Sequence, residues 1–156
     1  MGFEILDLIA GFVDGYNRAR AQAGGHVERL CAELGWPIDE HKGNRRKLDF
    51  HDSVRGKRPV YVFDKEDGTL RLLTFCDTFF DPRDVPPEVF AYQAARNQSL
   101  RFGKWFTGDE GGEIFFGLEY SAFAEGVSAQ AFKTICEQMV AEAATFDERM
   151  KKAGLL

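Results

Sequence analysis

Three features of this 156-residue chain predict an α+β fold with helices packed on one antiparallel sheet. Segments with a helical apolar period and segments with strand alternation come in separate runs. The strand segments are joined by short turn-forming connections that suit a meander. After residue 25 the order is helix, three strands, helix, two strands, helix. Residues 25–156 therefore read as a single α+β domain, and residues 1–24 as an N-terminal helical extension.

The extension comes first. Phe3, Leu6, Ile9, Val13 and Tyr16 recur at three- and four-residue intervals, which predicts a helix over 3–22. Gly24-Gly25 break it. HVERLCAELGW places Val27, Leu30, Cys31 and Leu34 on one stripe, and Gly35 and Pro37 end that helix. A first strand follows over about residues 47–54, with Leu48, Phe50 and Asp52 on a shared face. RGKR turns the chain into PVYVFD, a β-branched and aromatic strand, and KEDG turns it again into TLRLLTFCD. Pro86-Pro87 suit the first turn of a helix, where a missing N–H costs nothing; Val89, Phe90, Gln93 and Ala94 are expected to face inward. A hairpin over 100–122 comes next. Ser128 is a good N-cap for the last helix. Its apolar positions Phe132, Cys136, Met139, Ala143, Phe146 and Met150 step by 4, 3, 4, 3 and 4, a stripe for packing on the sheet or in a dimer seam. Asp147–Lys151 and Glu148–Lys152 are spaced as i,i+4 ion pairs.

Composition narrows the function classes. The chain is 44% hydrophobic and 29% charged, as soluble globular proteins are. Its length allows roughly 70% of the unfolded surface to be buried without disulfides or a metal. No run reaches the roughly 18 apolar residues that span a bilayer. The apolar N-terminus carries Glu4 and Asp7, unlike an export signal, so the expected location is the cytoplasm. A net charge of −5 disfavours a general nucleic-acid binder and suits a partner with basic segments. Cys31, Cys76 and Cys136 each lie in an apolar pattern and read as buried, reduced thiols.

Several local motifs go together. ARNQSL ends a helix in asparagine and leads into Phe102-Gly103-Lys104-Trp105. The acidic glycine turn GDEGG follows, then the apolar strand IFFGLEY and the closing helix SAQAFKTICEQMVAEAATFDERM. With the order of elements, these motifs resemble the YbjN family of bacterial sensory transduction regulators, which shares its architecture with class I type III secretion chaperones. The resemblance covers roughly residues 25–150. It implies a type III secretion chaperone-like fold and a non-enzymatic role in binding a protein or peptide, chaperone-like or regulatory, as a homodimer and with no cofactor. It leaves residues 3–22 without a counterpart; a helix there, docked across the sheet, would cover the family's usual surface.

Alternation assigns faces within the hairpin. Ile114, Phe116, Leu118, Tyr120 and Ala122 form an apolar row that should face the core. Two registers are open for the preceding strand. In the favoured one Trp105 points inward opposite Ile114, with Gly103 opposite Phe116, because burying an unpaired Lys104 costs more than exposing two aromatic rings. Phe102, Lys104 and Phe106 then lie outside with Phe115, and these four are the candidate partner-binding residues. A slip of one residue would exchange the two sets.

Other chemistry is weakly signalled. The basic cluster Lys42, Arg45, Arg46 and Lys47 reads as a solvated loop, or alternatively as a contact for phosphate or an acidic peptide. With Arg55, Lys57 and Arg58 it makes segment 42–58 the alternative, nucleic-acid-binding reading. His51-Asp52-Ser53 puts triad residue types together, but neighbours on a strand point to opposite faces, so no catalytic residue is assigned. No metal ligands are assigned either. Asp109 and Glu110 disfavour phosphate at the glycine turn.

Overall fold

The structure is a computed structural model that describes residues 25–156; the helix expected over 3–22 lies outside the described residues. In chain order the elements are α1 (His26–Leu34), β1 (Glu40–Lys42), β2 (Arg45–Asp52), β3 (Gly56–Asp64), β4 (Thr69–Phe80), α2 (Pro87–Ser99), β5 (Lys104–Glu110), β6 (Glu113–Phe123) and α3 (Ala129–Lys152). All strand pairs are antiparallel, in the order β1-β2-β3-β4-β6-β5. The sheet has six strands where the sequence predicts five. The extra one is β1, the short first arm of a hairpin that turns at Gly43 with φ 58°.

Helix ends follow the sequence signals. Gly35 adopts the left-handed conformation (φ 66°) that ends α1, and the Trp36 N–H closes on the Cys31 carbonyl. Pro87 opens α2. The Ser128 hydroxyl accepts from the Ala131 N–H at the start of α3. In α2, Val89 and Gln93 are buried as expected, but Ala94 is exposed and Phe90 is 45% exposed, its ring 6.1 Å from that of Phe116 in a T-shaped contact.

Three helices lie on one face of the sheet, here called the inner face. Val27, Leu30 and Cys31 of α1 and Phe132, Ile135 and Phe146 of α3 pack there on Val62, Leu72, Phe116 and Leu118 in one cluster. Trp105 belongs to it, so the inward register is the one formed. Its cross-strand partner is Leu118 rather than Ile114. The reason is the turn: Gly111 and Gly112, at φ 60° and 85°, make a two-residue connection between Glu110 and Glu113, so Asp109 and Glu110 continue the strand.

β4 is bulged against β6. Phe75 pairs with Gly117 and Phe79 with Phe115, so Cys76, Asp77 and Thr78 face the single residue Phe116. The bulge adds two residues, which preserves alternation on either side. It also frees polar groups of β4. The Asp147 carboxylate, from α3, accepts from the Asp77 N–H at 3.1 Å and from the Thr78 hydroxyl at 3.1 Å. Asp147 therefore does not form the surface pair with Lys151 that its spacing predicts; it is fully buried. Its countercharge is Arg58 of β3, also fully buried, which donates to Asp147 at 2.6 Å, to Asp52 at 2.5 Å and to the Phe75 carbonyl at 2.6 Å. Burial opposes the charge on Arg58, but the Asp147 and Asp52 carboxylates hold its pKa above the ordinary value. Asp52 also accepts from the Val54 and Arg55 N–H groups and so shapes the β2–β3 turn.

Removing one partner of such a buried ion group leaves the others uncompensated. Arg58→Ala is expected to lower the unfolding free energy by about 3–5 kcal/mol, read as a large fall in the urea midpoint. A loss below about 1 kcal/mol would show the group to be solvated.

Candidate functional site: the outer face of the sheet

The face opposite the helices carries a second apolar cluster. Tyr61 and Phe63 of β3 and Leu73 of β4 are its buried members, with Phe75 and Phe106 packed beside them. Phe115 joins through its ring, 5.9 Å from Phe75 and 6.2 Å from Phe106. Among the described residues, every apolar member comes from a strand. Two of these rings lie over cross-strand glycines. Phe106 pairs with Gly117, where a Cβ would stand 2.7 Å from the ring's Cζ and 2.8 Å from the Thr74 carbonyl oxygen. Phe115 pairs with Gly108, where a Cβ would stand only 2.1 Å from the ring's Cζ. The glycines thus let the rings lie down along the sheet.

Polar groups rim the stripe. Lys104 is exposed on the same face, opposite Glu119, which takes the Arg71 guanidinium at 2.7 Å. The Arg45 guanidinium lies 5.5 Å from the Tyr61 ring centroid. Burial pushes the Tyr61 hydroxyl pKa up to about 12.

Of the four residues expected to share this face, three do: Lys104, Phe106 and Phe115. Phe102 does not. Gly103, at φ 84°, breaks the alternation before β5 begins, and Phe102 turns to the inner cluster against Tyr120. The basic cluster also differs from a solvated loop. Arg45 and Arg46 lie on β2 and are 6% and 7% exposed. Arg45 donates to Glu40 at 2.6 Å, Arg46 to Glu28 at 2.5 Å, and Lys47 stands 3.3 Å from Asp49. Lys42 is exposed on β1. Tyr61, Phe63, Leu73 and Phe75 were not singled out from the sequence, although PVYVFD and LRLLTFC are apolar at both parities. That pattern marks strands buried on two sides.

β5 is held by two side chains of the helical layer. Asn97 of α2 accepts from the Trp105 N–H at 2.7 Å and donates to the Trp105 carbonyl at 3.2 Å, pairing with the strand as a backbone peptide would. Glu142 of α3 accepts from the Trp105 indole N–H at 3.2 Å and takes Arg96 through both oxygens at 2.7 Å. Burial pushes the Glu142 pKa up, but Arg96 and the Trp105 N–H outweigh it and hold the carboxyl below its ordinary range.

Nothing else described gathers reactive groups. All three thiols are buried, and burial raises their pKa, for Cys31 to about 11. His26 pairs with Asp64 at 3.3 Å and His41 lies 3.6 Å from Glu28. Among the described residues no three acidic, histidine or cysteine side chains converge on a point that could hold a metal, and no helix is long and apolar enough to cross a membrane.

Comparison with known proteins gives a consistent picture. The family model for YbjN, described as "Putative bacterial sensory transduction regulator", matches residues 25–152. The crystal structure of YbjN from E. coli superposes with a TM-score of 0.59 at 17% identity, covering 83% of this chain and 92% of that one. The HopA1–SchA chaperone–effector complex contains a similar chain, with a TM-score of 0.57 at 10% identity, covering 79% and 91%. The Yersinia pestis type III secretion chaperone SycH, solved with a fragment of YscM2, gives 0.53 at 12% identity, covering 76% and 93%. At these identities the likeness is one of fold. No curated protein matches the chain.

Two measurements check this geometry. Phe115→Ala is expected to cost about 3 kcal/mol and Phe106→Ala, at the half-buried rim, about 1 kcal/mol. Glu142→Gln should cost about 2 kcal/mol at neutral pH through weakened charged hydrogen bonds. Because its folded pKa is depressed, Glu142 stabilises the fold above the ordinary glutamate value of 4.5 and loses that contribution as pH falls through the folded value. The stability gap between native and Gln variants should therefore narrow below pH 4.5 in denaturant titrations; a gap that widens there would contradict the assignment.

Proposed function

The chain belongs to the YbjN family, and from that premise we propose that it is a non-enzymatic module that binds a segment of a partner protein, in a chaperone-like or regulatory role. The observation that carries this reading is the aromatic stripe on the outer face. A soluble sheet with helices on one side ordinarily turns polar side chains outward on the other. Here that side carries Phe75, Phe106 and Phe115, and Phe79, 37% exposed, continues the row. Contiguous apolar surface of this kind is suited to partner contact. Phe106 supplies the apolar contact, and Lys104 at the rim orients a polar group; Phe115, expected from the sequence to be exposed, is only 6% exposed and packs on the Phe75 and Phe106 rings. Phe102 serves the inner core instead. The fold similarity to chains solved in a chaperone–effector complex and in a chaperone bound to a fragment of another protein supports the same reading.

The protein acts as a homodimer in the cytoplasm and needs no cofactor in this reading. The nucleic-acid alternative gains nothing from the geometry: Arg45, Arg46 and Arg58, three of the seven cations it would recruit, are themselves buried and paired with carboxylates.

A photo-crosslinker at position 104, activated in the native cell, should capture the partner for identification by mass spectrometry. Binding of that purified partner is expected to weaken at least ten-fold with Phe106→Asp, measured well below the variant's cooperative melt, since losing the Phe106 packing lowers the melting temperature by several degrees. Unchanged affinity would remove the outer face as the site. Sedimentation of the purified protein at twice the chain mass is the outcome expected for the dimer.

A further inference from the structure

β5 ends the sheet, so half of its backbone groups face away from β6. The two-residue turn at Gly111-Gly112 makes Glu110 and Glu113 a hydrogen-bonded pair. Alternation then aims the N–H and C=O groups of Phe106, Gly108 and Glu110 at β6, and those of Trp105, Thr107 and Asp109 at the open edge. Asn97 fixes this phase, because it meets both groups of Trp105. Among the described residues nothing meets the backbone groups of Thr107 and Asp109.

Apolar surface lies beside these open positions. Phe90, Ala94 and Asn97 of α2 are at i, i+4 and i+7 and share one helix face. The bonds of Asn97 to Trp105 show that this face looks toward the β5 edge. Its two apolar residues have the sequence pattern of core positions, yet both are exposed. The Phe90 ring stands against that of Phe116, the cross-strand partner of Thr107. A strand added at Thr107 and Asp109 would therefore gain main-chain hydrogen bonds and slide in beside Phe90 and Ala94.

The edge is complementary to itself. Set antiparallel to a second copy with Gly108 opposite Gly108, Thr107 of each copy faces Asp109 of the other, and every open N–H and C=O finds a partner. Other registers satisfy only half of them. Centring on Thr107 sets Asp109 against Trp105, whose groups Asn97 already holds. Centring on Asp109 sets two like charges opposite each other and Thr107 against the turn. The Gly108-centred register also brings Lys104 of one copy diagonal to Glu110 of the other. That hairpin end carries Glu110 and Glu113 directly opposite each other, a like-charge pair that a lysine relieves.

We propose that the homodimer forms by antiparallel pairing of the β5 edges of two copies over Thr107–Asp109, with Asn97 setting the register and Phe90 and Ala94 of each copy covering the seam. This names the interface of the homodimer read above and rests on that reading.

Sedimentation and amide hydrogen exchange of the full chain test it. Thr107→Pro removes an N–H that points away from β6, a place where an edge strand tolerates proline. The variant should keep a cooperative melt and raise the dimer dissociation constant at least 100-fold. Phe90→Asp/Ala94→Asp, at exposed positions, should raise it at least ten-fold. In the native protein, a hundred-fold dilution through the dissociation constant should speed exchange of the Thr107 and Asp109 amides at least three-fold and leave those of Phe106 and Gly108 protected. A Thr107→Pro protein that remains a dimer, or a native dimer whose Thr107 and Asp109 amides exchange freely, overturns this interface and leaves the dimer reading standing. A native protein that sediments at the mass of one chain overturns both. Protection that appears only on adding the captured partner gives the edge to a strand of that partner and overturns the self-pairing. If Thr107→Pro does not fold, the exchange result decides.

Discussion

A single buried cation organises this domain. The guanidinium of Arg58 is anchored on β3 and reaches Asp52 on β2, the Phe75 carbonyl on β4 and Asp147 on α3. A guanidinium with no access to water is tolerated only where carboxylates and carbonyls surround it. Each of those acceptors thereby becomes fixed relative to the others. The bulge in β4 depends on the same group, because the backbone N–H it frees at Asp77 is satisfied by the carboxylate that neutralises Arg58. Strand pairing, bulge position and the seating of α3 are one problem with one solution.

From that frame the outer face follows. The bulge keeps Phe75 and Phe79 on the same side, so the row of rings along β4 continues past the irregularity. Gly108 and Gly117 let Phe115 and Phe106 recline across β5 and β6. The result is a sheet with a core on each side. The inner one is closed by helices; the outer one is built of strands alone among the described residues. The outer face is where this molecule has apolar surface without a described helix.

Much of this could be read from the residues. Periodicity located α1, α3 and the core row of β6, the paired prolines located α2, and turn chemistry located the connections. The inward Trp105 was legible from the cost of burying Lys104. What escaped was polar and long-range. Arg45 and Arg46 look solvated in sequence because the acid that neutralises Arg46, Glu28, arrives from another element. Asp147 and Glu142 sit within the apolar stripe of α3, at i+4 from Ala143 and i+3 from Met139. That was the available signal for buried partners, but i,i+4 spacing to Lys151 offered a plausible surface role. Phe102 was misplaced because the glycine after it takes a positive φ, which alternation cannot anticipate.

Asn97 has a consequence for the molecule's fate at high concentration. The last strand of an open sheet displays unpaired amide and carbonyl groups, and strands from neighbouring molecules readily add to such an edge to build fibres. By clasping both backbone groups of Trp105, Asn97 occupies the first docking position on that edge from within the same chain. One side chain thus acts as a stopper against runaway polymerisation, placed where the strand begins and its backbone first becomes available.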